Sequence, residues 1–565
     1  MPEVFPPACL FFAAALILPF LPQGRLRGAF LLLVPLVAGW LIWTLPDGNL
    51  MPLRFMGLDL ELLRVDKLAR AFGLIFALAA FLGNLYAWHI RDSVQQLAAL
   101  GYAGAAIGAV FAGDLISLFI FWEGTAITAA FLIWARRTTG AYFVGMRYMI
   151  IQVTSGVLLL AGAALHYSET GSLVFETMTL GSTATWLMLI AFGIKAAFPL
   201  LHNWLQDSYA GATITGTVIL QSFATKMAIY ALARGFAGTE ILIWIGAVMT
   251  LFPIFFAVIE NDLRRVLAYS TNNQLGFMVV GIGIGTDMAL NGAVAHAIAH
   301  ILFKGLLFMG MGAVLFRTGT IKGSELGGLY KTMPLTMVFT VIGAAAISAF
   351  PLFSGFVTKS LIVSASAENG YYLVWLILLF ASAGVFHHSG IKIPYFAFFA
   401  HDSGRRPKEA PAHMLVAMAI AAGASVLIGV FPQQFYTLLP YEIEYEVFTQ
   451  THVITQVQIL FFSALAFTVL VRTGIYPPEL KSVNLDTDWF YRRMAPAVVS
   501  RVRAVTTAAW SGGASLVARA LQHAQDFLRH SEGPEGRLAH VWPTGSMVQW
   551  LAIILGVVLM VVYLT

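Results

Sequence analysis

Ionisable residues recur inside long apolar stretches of this sequence. Glu123 lies within DLISLFIFWEGTAITAAFLIW, Lys195 within TATWLMLIAFGIKAAFPLLHNWL, and Lys226 within TITGTVILQSFATKMAIYALARG. A charge at the centre of a membrane-spanning helix costs about 2.5–3.5 kcal/mol on insertion scales. Residues that bear this cost are therefore candidates for a function that needs charges or protons inside a membrane.

A fourth apolar stretch, AVAHAIAHILFKGLLFM, carries three such residues at four-residue steps. His296, His300 and Lys304 therefore share one face of a helix. A neutral imidazole accepts a hydrogen bond on one nitrogen and donates on the other, which suits proton relay. The same spacing suits a metal, but a zinc site needs a third ligand and this stretch contains no acidic residue. Proton relay is the favoured interpretation, and neither a metal nor a cofactor is predicted.

Lys392 is the last buried lysine, and it follows His387 and His388 in LLFASAGVFHHSGIKIPYFAFF. The alternative for each lysine is a local ion pair that locks two helices together. Membrane helices pack more simply through small residues and hydroxyl groups, so five helices that each carry a protonatable group favour a relay. The predicted relay residues are Glu123, Lys195, Lys226, His296, His300 and Lys392.

The composition requires membrane helices to hold these residues. Of 565 residues, 59% are hydrophobic and 11% are charged, whereas soluble proteins carry about 25% charged residues. Apolar segments of about 20 residues recur along the chain, which indicates an all-α polytopic membrane protein with 14 to 16 transmembrane helices. The single cysteine, Cys9, excludes a disulfide framework and a cysteine-ligated iron–sulfur cluster within this chain. A net charge of +5 and the absence of phosphate-binding motifs do not suggest nucleic acid or nucleotides.

Charged loops predict the orientation of the chain. Arg25 and Arg27 follow the first span, and Arg136 and Arg137 follow the fifth, so both loops share a side. The segments 46–66 and 167–182, on the opposite side, are net acidic. Positive charge is enriched in cytoplasmic loops, which predicts that the N-terminus lies on the non-cytoplasmic side. The first apolar stretch lacks a basic region before it, so we expect a permanent helix there.

Prolines predict interrupted helices near several of the buried charges. Pro199 follows Lys195 by four residues, and Pro394 follows Lys392 by two. Such breaks at membrane depth are tolerated where they are buried in protein or line a wet cavity. Towards the C-terminus, apolar residues recur at three- to four-residue steps from Val498 to Leu528, which predicts an amphipathic surface helix. The predicted division is 1–113 N-terminal helices, 114–400 translocating core, 401–478 further helices, 479–545 amphipathic lateral segment and 546–565 final span.

Six motifs in order resemble one known family. They are FWEGTAI, GIKAAFPLLHNWLQDSYAGA, ATKMAIYAL, ENDLRRVLAYSTNNQLGFM, HAIAHILFKGLLF and FPLFSGFVTK. They resemble the antiporter-like proton-channel subunits of respiratory complex I, membrane-bound hydrogenases and multisubunit cation/proton antiporters. The resemblance covers about residues 60–400 and is strongest to the antiporter D subunit, with a C-terminal extension. Asn272 and Asn273 depart from it, because Ser-His is common at this place.

The resemblance implies an inverted repeat with broken helices and a role for each relay residue. Glu123 would tune Lys195, and Lys226 would be the central relay lysine. His296 and His300 would bridge from there towards Lys392 on the exit side. These roles come from the family resemblance and not from the spacing alone.

The expected function is proton translocation in a monovalent cation (Na⁺)/proton antiporter of the cell inner membrane. The expected partners are other membrane subunits, the lipid bilayer, protons and Na⁺. Alternatives are a proton-pumping module of a complex I- or hydrogenase-like redox complex, and the energising subunit of an inorganic-carbon uptake system. A structural membrane anchor is a further alternative. The chain shows no redox centre of its own, so enzymatic activity would require membership of an NADH:quinone oxidoreductase-type complex.

Overall fold

The computed structural model describes residues 4–477, 479–480, 484, 486–536, 539 and 542–564. The remaining positions of the predicted segments 1–113, 401–478, 479–545 and 546–565 lie outside the described residues. The chain divides into two compact units, residues 1–484 and 485–565.

Helices form nearly all of the regular structure, which confirms the predicted all-α class. The helices of the first half are α1 Pro7–Ile17, α2 Arg25–Thr44, α3 Lys67–Tyr86, α4 Ser93–Phe111, α5 Leu115–Trp134, α6 Thr139–Thr170, α7 Thr183–Lys195, α8 Asn203–Gly211, α9 Ile214–Leu220, α10 Ala224–Gly235 and α11 Ile241–Ile259. The second half contains α12 Leu263–Ile284, α13 Asp287–Thr318, α14 Pro334–Ile347, α15 Ser354–Glu368, α16 Tyr372–Val385, α17 Lys392–Pro394, α18 Ala412–Val430, α19 Pro432–Tyr436, α20 Gln450–Arg472, α21 Ala495–Glu532 and α22 Thr544–Leu564. Four short strands, β1 Gly48–Asn49, β2 Pro52–Phe55, β3 Leu58–Glu61 and β4 Arg64–Val65, form the antiparallel pairs β1–β4 and β2–β3.

Within the described residues, 11 helices are long and apolar enough to cross a membrane. Shorter apolar helices occupy Pro7–Phe20, Thr183–Lys195 and Pro334–Ile347. The apolar stretch 333–364 consists of two helices, α14 and α15, that meet at a break. The expected 14 to 16 spans thus include full-length helices together with helices interrupted inside the bundle.

Two of the breaks share one tetrapeptide and one backbone conformation. Ala197-Phe198-Pro199-Leu200 follows α7, and Ala349-Phe350-Pro351-Leu352 follows α14. In both, the alanine and the leucine have positive φ, 61° and 70° in the first and 59° and 71° in the second. Left-handed geometry is costly for residues with a side chain, by about 1–2 kcal/mol each. Two copies of the same costly geometry are what an internal repeat predicts, and each break stands beside a buried lysine.

Aspartate side chains cap helix N-termini, and among them are the buried Asp114 and the partly buried Asp66. Asp114 Oδ1 accepts from Ser117 N–H at 2.7 Å at the start of α5, and Asp114 Oδ2 accepts from Glu61 N–H at 2.8 Å. Asp66 caps α3 in the same way through Ala69 N–H, at 2.8 Å. Unsatisfied N–H groups at a helix start favour such a cap, so these carboxylates have structural roles.

Loop contacts agree with the pairing of loops deduced from the charges. Arg27 donates to Ser93 Oγ at 3.0 Å, and Arg137 pairs with the neighbouring Asp92 at 2.9 Å, so the two basic loops meet on one face. The two acidic segments meet on another face, where Arg64 donates to the carbonyl oxygen of Phe175 at 2.6 Å. Which of these faces is cytoplasmic remains a prediction.

The unit 485–565 contains the two predicted C-terminal helices. Helix α21 is 38 residues long and continuous through Gly512 and Gly513. At about 1.5 Å per residue it extends for roughly 57 Å. Its residues are exposed within this unit, as are those of the apolar helix α22. Contact of α21 with lipid or with a partner protein stays a prediction.

Candidate functional site

The predicted relay residues lie inside the helical bundle of the first unit. Five of them, Lys195, Lys226, His296, His300 and Lys392, are fully buried at 0% exposure. Glu123 is half-buried. Burial on this scale requires that each charged or polar atom find a partner, and the partners define what the site can do.

Lys195 is the last residue of α7, and its ammonium group contacts α5. Its Nζ donates to the carbonyl oxygen of Trp122 at 2.9 Å and to Thr125 Oγ1 at 2.8 Å. It also lies 4.3 Å from the centre of the Trp122 ring, which is attractive for a cation. Glu123 follows Trp122 directly, so Glu123 and the ammonium group of Lys195 lie at the same turn of α5, although no ion pair joins them in the described residues. Gly156 of α6 leaves the space that the Glu123 carboxyl group occupies.

Lys226 begins the second half of another interrupted segment. Its Nζ donates to the carbonyl oxygen of Gln221 at 2.6 Å, just after the end of α9. The last carbonyl groups of a helix have no partner within that helix and carry its negative dipole end. The carbonyl end of the broken helix therefore compensates the positive charge of Lys226, which a carboxylate would otherwise have to do.

His296 is held by a chain of amide groups whose direction fixes its neutral tautomer. Asn273 Nδ2 donates to the backbone oxygen of Thr250, Gln274 Nε2 donates to Asn273 Oδ1 at 2.6 Å, and His296 Nε2 lies 3.2 Å from Gln274 Oε1. A backbone oxygen can only accept, so each amide in the chain must donate towards Thr250. The Nε2 atom of His296 must therefore carry a proton and donate.

The other nitrogen of His296, Nδ1, is consequently the bare acceptor of the neutral ring. His296 Nδ1 lies 2.9 Å from Thr358 Oγ1, and Thr358 Oγ1 also lies 3.1 Å from the Ser354 carbonyl oxygen. While Nδ1 is bare, the threonine hydroxyl donates to it. When Nδ1 is protonated, the hydroxyl turns to the carbonyl and accepts from the ring. Neutral and charged forms of His296 are thus both satisfied by one hydroxyl rotation.

His300 and Lys304 continue the face of α13 that His296 begins. The rings of His296 and His300 are 6.3 Å apart between centres. Neither ring nitrogen of His300 has a hydrogen-bond partner within the described residues. Lys304 Nζ donates to Ser270 Oγ at 2.8 Å. No third metal-ligating side chain joins the two histidines in the part of the chain that the structure describes.

A serine pair connects Lys304 to the segment that carries Lys392. Ser389 Oγ donates to Ser270 Oγ at 2.7 Å, and His388 Nδ1 lies 2.9 Å from Ser389 Oγ. This segment is π-helical over Phe386–Ile391 and Tyr395–Phe399, with α17 between. Such widened turns recur at functional sites, and this one turns His388 and Ser389 into the bundle.

Comparison with known proteins shows the family to which the chain belongs. Residues 112–386 match the family model described as NADH:quinone oxidoreductase/Mrp antiporter, TM. NADH-quinone oxidoreductase subunit N of Desulforudis audaxviator is 31% identical over 380 residues, covering 61% of this chain and 75% of that protein. The chain belongs to this family.

Other family members resemble the chain over part of their own length. The D subunit of the Na(+)/H(+) antiporter of Alkalihalophilus pseudofirmus is 32% identical over 316 residues, which cover 52% of this chain and 64% of that protein. The A subunit from the same organism is 28% identical over 494 residues, 76% of this chain and 61% of the relative. A chain in the structure of the Mrp complex from Dietzia superposes with a TM-score of 0.77 at 25% identity, covering 92% of this chain and 62% of that one. The chain thus spans about three fifths of both antiporter proteins.

Lys359 is a buried lysine of this antiporter-family chain that the sequence-based relay omits. Its Nζ donates to the carbonyl oxygen of Ile347, the last residue of α14, at 2.8 Å. Thr358, its neighbour, bonds His296. The signal was available in the sequence, because the tetrapeptide AFPL beside Lys195 recurs at residues 349–352, where the motif FPLFSGFVTK that ends in Lys359 begins.

Lys359 also lines a cavity of about 380 Å³. Glu368, Glu446 and His452 line the same cavity, together with several serine and threonine residues. A cavity of this volume has room for several water molecules, since one molecule in liquid water takes about 30 Å³. Lys359 is therefore placed between the histidine face of α13 and this cavity.

Proposed function

We propose that this chain is a proton-translocating subunit of a multisubunit complex in the cell inner membrane, with its N-terminus on the non-cytoplasmic side. The complex is a monovalent cation (Na⁺)/proton antiporter, and the chain is its D-type subunit. The observation that carries the proposal is a file of fully buried ammonium and imidazole groups, most of which are bonded to carbonyl and hydroxyl oxygens. Lys226 and Lys359 bond no carboxylate in the described residues, so they gain and lose protons without leaving an unpaired carboxylate behind.

Short contacts join the protonatable groups of the file and support stepwise proton transfer between them. The first group pairs Glu123 with Lys195, and Lys226 lies at the next helix break. Gln221, whose carbonyl holds Lys226, also donates through its side chain to Ile301 O of α13 at 3.5 Å. From α13 the file reaches Lys359 through Thr358, and it reaches His388 through Lys304 and the two serines.

Burial determines how readily each lysine of the file is protonated. A buried lysine resists protonation unless a negative partner or a helix end compensates its charge. Each proton that arrives therefore raises the cost of the neighbouring charge, and each departure lowers it. A two-state movement of the broken helices would couple these charges to the exchanged ion.

A proton-pumping module of a redox complex is the second candidate. The observation that favours it is the 31% identity to NADH-quinone oxidoreductase subunit N, of which the chain covers 75%. The two candidates share the proton file and differ in the driving reaction. The driving reaction can therefore be tested independently of the file.

Lys195→Met in the intact complex tests the proton file. Proton flux into vesicles is expected to fall by at least about tenfold, because a proton-transfer group contributes roughly 10²–10⁴-fold to the rate of a transfer step. The fold should survive, because Thr125 Oγ1 already donates to Trp122 O at 2.7 Å and both oxygens stay bonded without the lysine. Replacing a buried ion with an apolar group of similar volume is often neutral for stability.

Lys67→Met is the matched control, since Lys67 is half-exposed and lies 4.0 Å from the exposed Glu442. Flux is measured with a Na⁺ gradient and, separately, with a reductant and a quinone. Flux driven by Na⁺ supports the antiporter, and flux that requires the reductant supports the redox module. Full flux in Lys195→Met under both conditions would show that the file is not the pathway.

A further inference from the structure

The ammonium group of Lys392 lies among four oxygen atoms. Three are carbonyl oxygens at the C-terminal end of α11, those of Ala257 at 3.2 Å, Val258 at 2.6 Å and Glu260 at 2.7 Å. The fourth is a carboxylate oxygen of Glu479, at 2.9 Å. The side chains of Lys392 and Glu479 are 0% and 6% exposed, so this oxygen cluster is almost closed to solvent.

This oxygen set differs from the surroundings of the other lysines at helix breaks. Lys226 and Lys359 each donate to one backbone carbonyl, and neither bonds a carboxylate within the described residues. Carbonyl oxygens at a helix C-terminus together with one carboxylate are ligands that membrane transporters use for alkali cations. Carbonyl oxygens also replace the hydration shell of such cations in channels.

The segment after α20 builds the fourth side of the oxygen cluster. Asn484 Nδ2 donates to the Ile259 carbonyl oxygen at 3.2 Å, one residue from the carbonyls that hold Lys392. Asn484 thus contacts the end of α11, and Glu479 contacts the Lys392 ammonium group that is held there. Burial raises the pKa of Glu479 above its ordinary value, and the adjacent Lys392 ammonium opposes that rise. The carboxylate therefore needs a cation beside it to remain ionised.

We propose that the Lys392 ammonium occupies a binding site for an alkali cation, and that Na⁺ or K⁺ replaces it when Lys392 loses its proton. In this step one N–H bond of the ammonium breaks, the electron pair stays on Nζ, and the cation takes the positive charge within the four oxygens. One proton leaves for each cation that enters, so the charge of the site is unchanged. This inference rests on the proposed antiport function and supplies the place of exchange.

His388 is placed to accept the released proton. Ser389 Oγ uses its proton to donate to Ser270 Oγ, so His388 Nδ1 must donate to Ser389. The neutral ring therefore presents Nε2 as a bare acceptor, and Nε2 has no hydrogen-bond partner among the described residues. His388 precedes Lys392 by four residues, which places both side chains on one side of the helical turn.

The other charged groups around the site are already engaged or lie at its edge. Glu260 Oε1 accepts from Asp262 N–H at 3.0 Å, and Glu260 Oε2 lies 3.6 Å from Arg265 Nε. The rings of His387 and Tyr476, at the edge of the site, form an edge-to-face pair with centres 5.6 Å apart. Tyr476 lies three residues before Glu479, and burial raises its pKa well above the ordinary value. Glu479 is thus the carboxylate that compensates Lys392 directly.

Equilibrium binding of radioactive Na⁺ and of Rb⁺, as a substitute for K⁺, to the purified complex tests the inference. In the wild type, the apparent dissociation constant for the cation should fall by about tenfold for each unit by which the pH rises, as long as the proton on Lys392 competes with the cation. Lys392→Met should bind the cation with an affinity that no longer follows pH, because the competing ammonium is gone. Glu479→Gln should weaken binding by at least tenfold at every pH.

Lys322→Met is the matched control, because Lys322 pairs with Asp262 at 3.1 Å on the same side of the bundle. Its cation binding should equal that of the wild type. Binding by wild type that ignores pH, or binding that Glu479→Gln leaves intact, would overturn the inference. If the Lys392→Met protein does not accumulate, the pH dependence of wild-type binding and the affinity of Glu479→Gln are sufficient to test the inference.

Failure of this inference is distinguishable from failure of the proposed function. If Glu479→Gln binds cations normally while Lys195→Met abolishes proton flux, the proton file stands and the cation binds elsewhere. If Glu479→Gln loses the cation while Lys195→Met keeps its flux, the cation site stands and the proton path is wrong.

Discussion

Gly156 of α6 faces the carboxyl group of Glu123, and we expect Gly156→Ala to slow proton flux. A β-carbon at this position would overlap Glu123 Oε1, so the flexible carboxyl group must turn away. An off-rotamer side chain costs about 0.5–1.5 kcal/mol. Replacing glycine by alanine within a helix favours folding by about 1 kcal/mol. The two effects nearly cancel, and the free energy of unfolding should change by no more than about 1 kcal/mol.

The effect on the relay comes from the changed distance between Glu123 and Lys195. For any two opposite charges at an effective dielectric constant of about 20, a lengthening of about 2 Å from a separation of about 5 Å weakens the attraction by about 1 kcal/mol. A free-energy change of about 1.4 kcal/mol alters an equilibrium constant tenfold. Proton flux should therefore fall by about fivefold, while stability stays close to that of the wild type.

The assay is proton flux in vesicles that contain the intact complex, together with thermal unfolding of the purified complex. Gly140→Ala is the matched control, because Gly140 begins the same helix and a β-carbon there would meet nothing within 4 Å. It should retain full flux. Wild-type flux in Gly156→Ala would refute the role of the Glu123 position in the relay. A large loss of stability would show instead that the glycine is needed for packing.

Two further perturbations test other parts of the bundle. Thr358→Val removes the hydroxyl group that rotates when His296 is protonated, so proton flux should fall by about tenfold or more. Thr358→Ser keeps a hydroxyl group and should retain the wild-type flux. Equal flux in both variants would contradict the rotation. Outside the membrane segments, hydrogen bonds from Arg406 and Lys331 hold the pKa of Asp402 well below its usual value. A depressed carboxyl pKa stabilises the fold above the unfolded pKa near 4, and this contribution is lost as pH falls. Asp402→Asn should therefore lower the melting temperature slightly at pH 7, and this difference should shrink steadily as the pH falls below about 4; a pH-independent difference would exclude this charge effect.

The buried ionisable residues could be recognised in the sequence because burying a charge is costly. Lys195, Lys226 and Lys392 each interrupt an apolar stretch, and no packing requirement explains a lysine there. The four-residue steps of His296 and His300 likewise predict one helix face whatever the surrounding fold. The family could be recognised from motifs that hold these residues.

The prediction omitted groups whose importance depends on contacts between distant segments. Lys359 is one lysine among several in the sequence, and its link to His296 through Thr358 appears only when α13 and α15 pack together. Glu479 belongs to a polar stretch that predicts only a surface segment. The structure places it beside Lys392 in the interior.

The order of residues is enough to establish that this protein crosses a membrane many times and holds protonatable groups within it. Hydropathy and the cost of buried charge act on each helix separately, so they can be read one segment at a time. Which oxygens compensate each charge depends on the packing of the folded chain. Carbonyl groups at broken helix ends are common to all sequences, and only their positions make them partners of Lys226, Lys359 and Lys392.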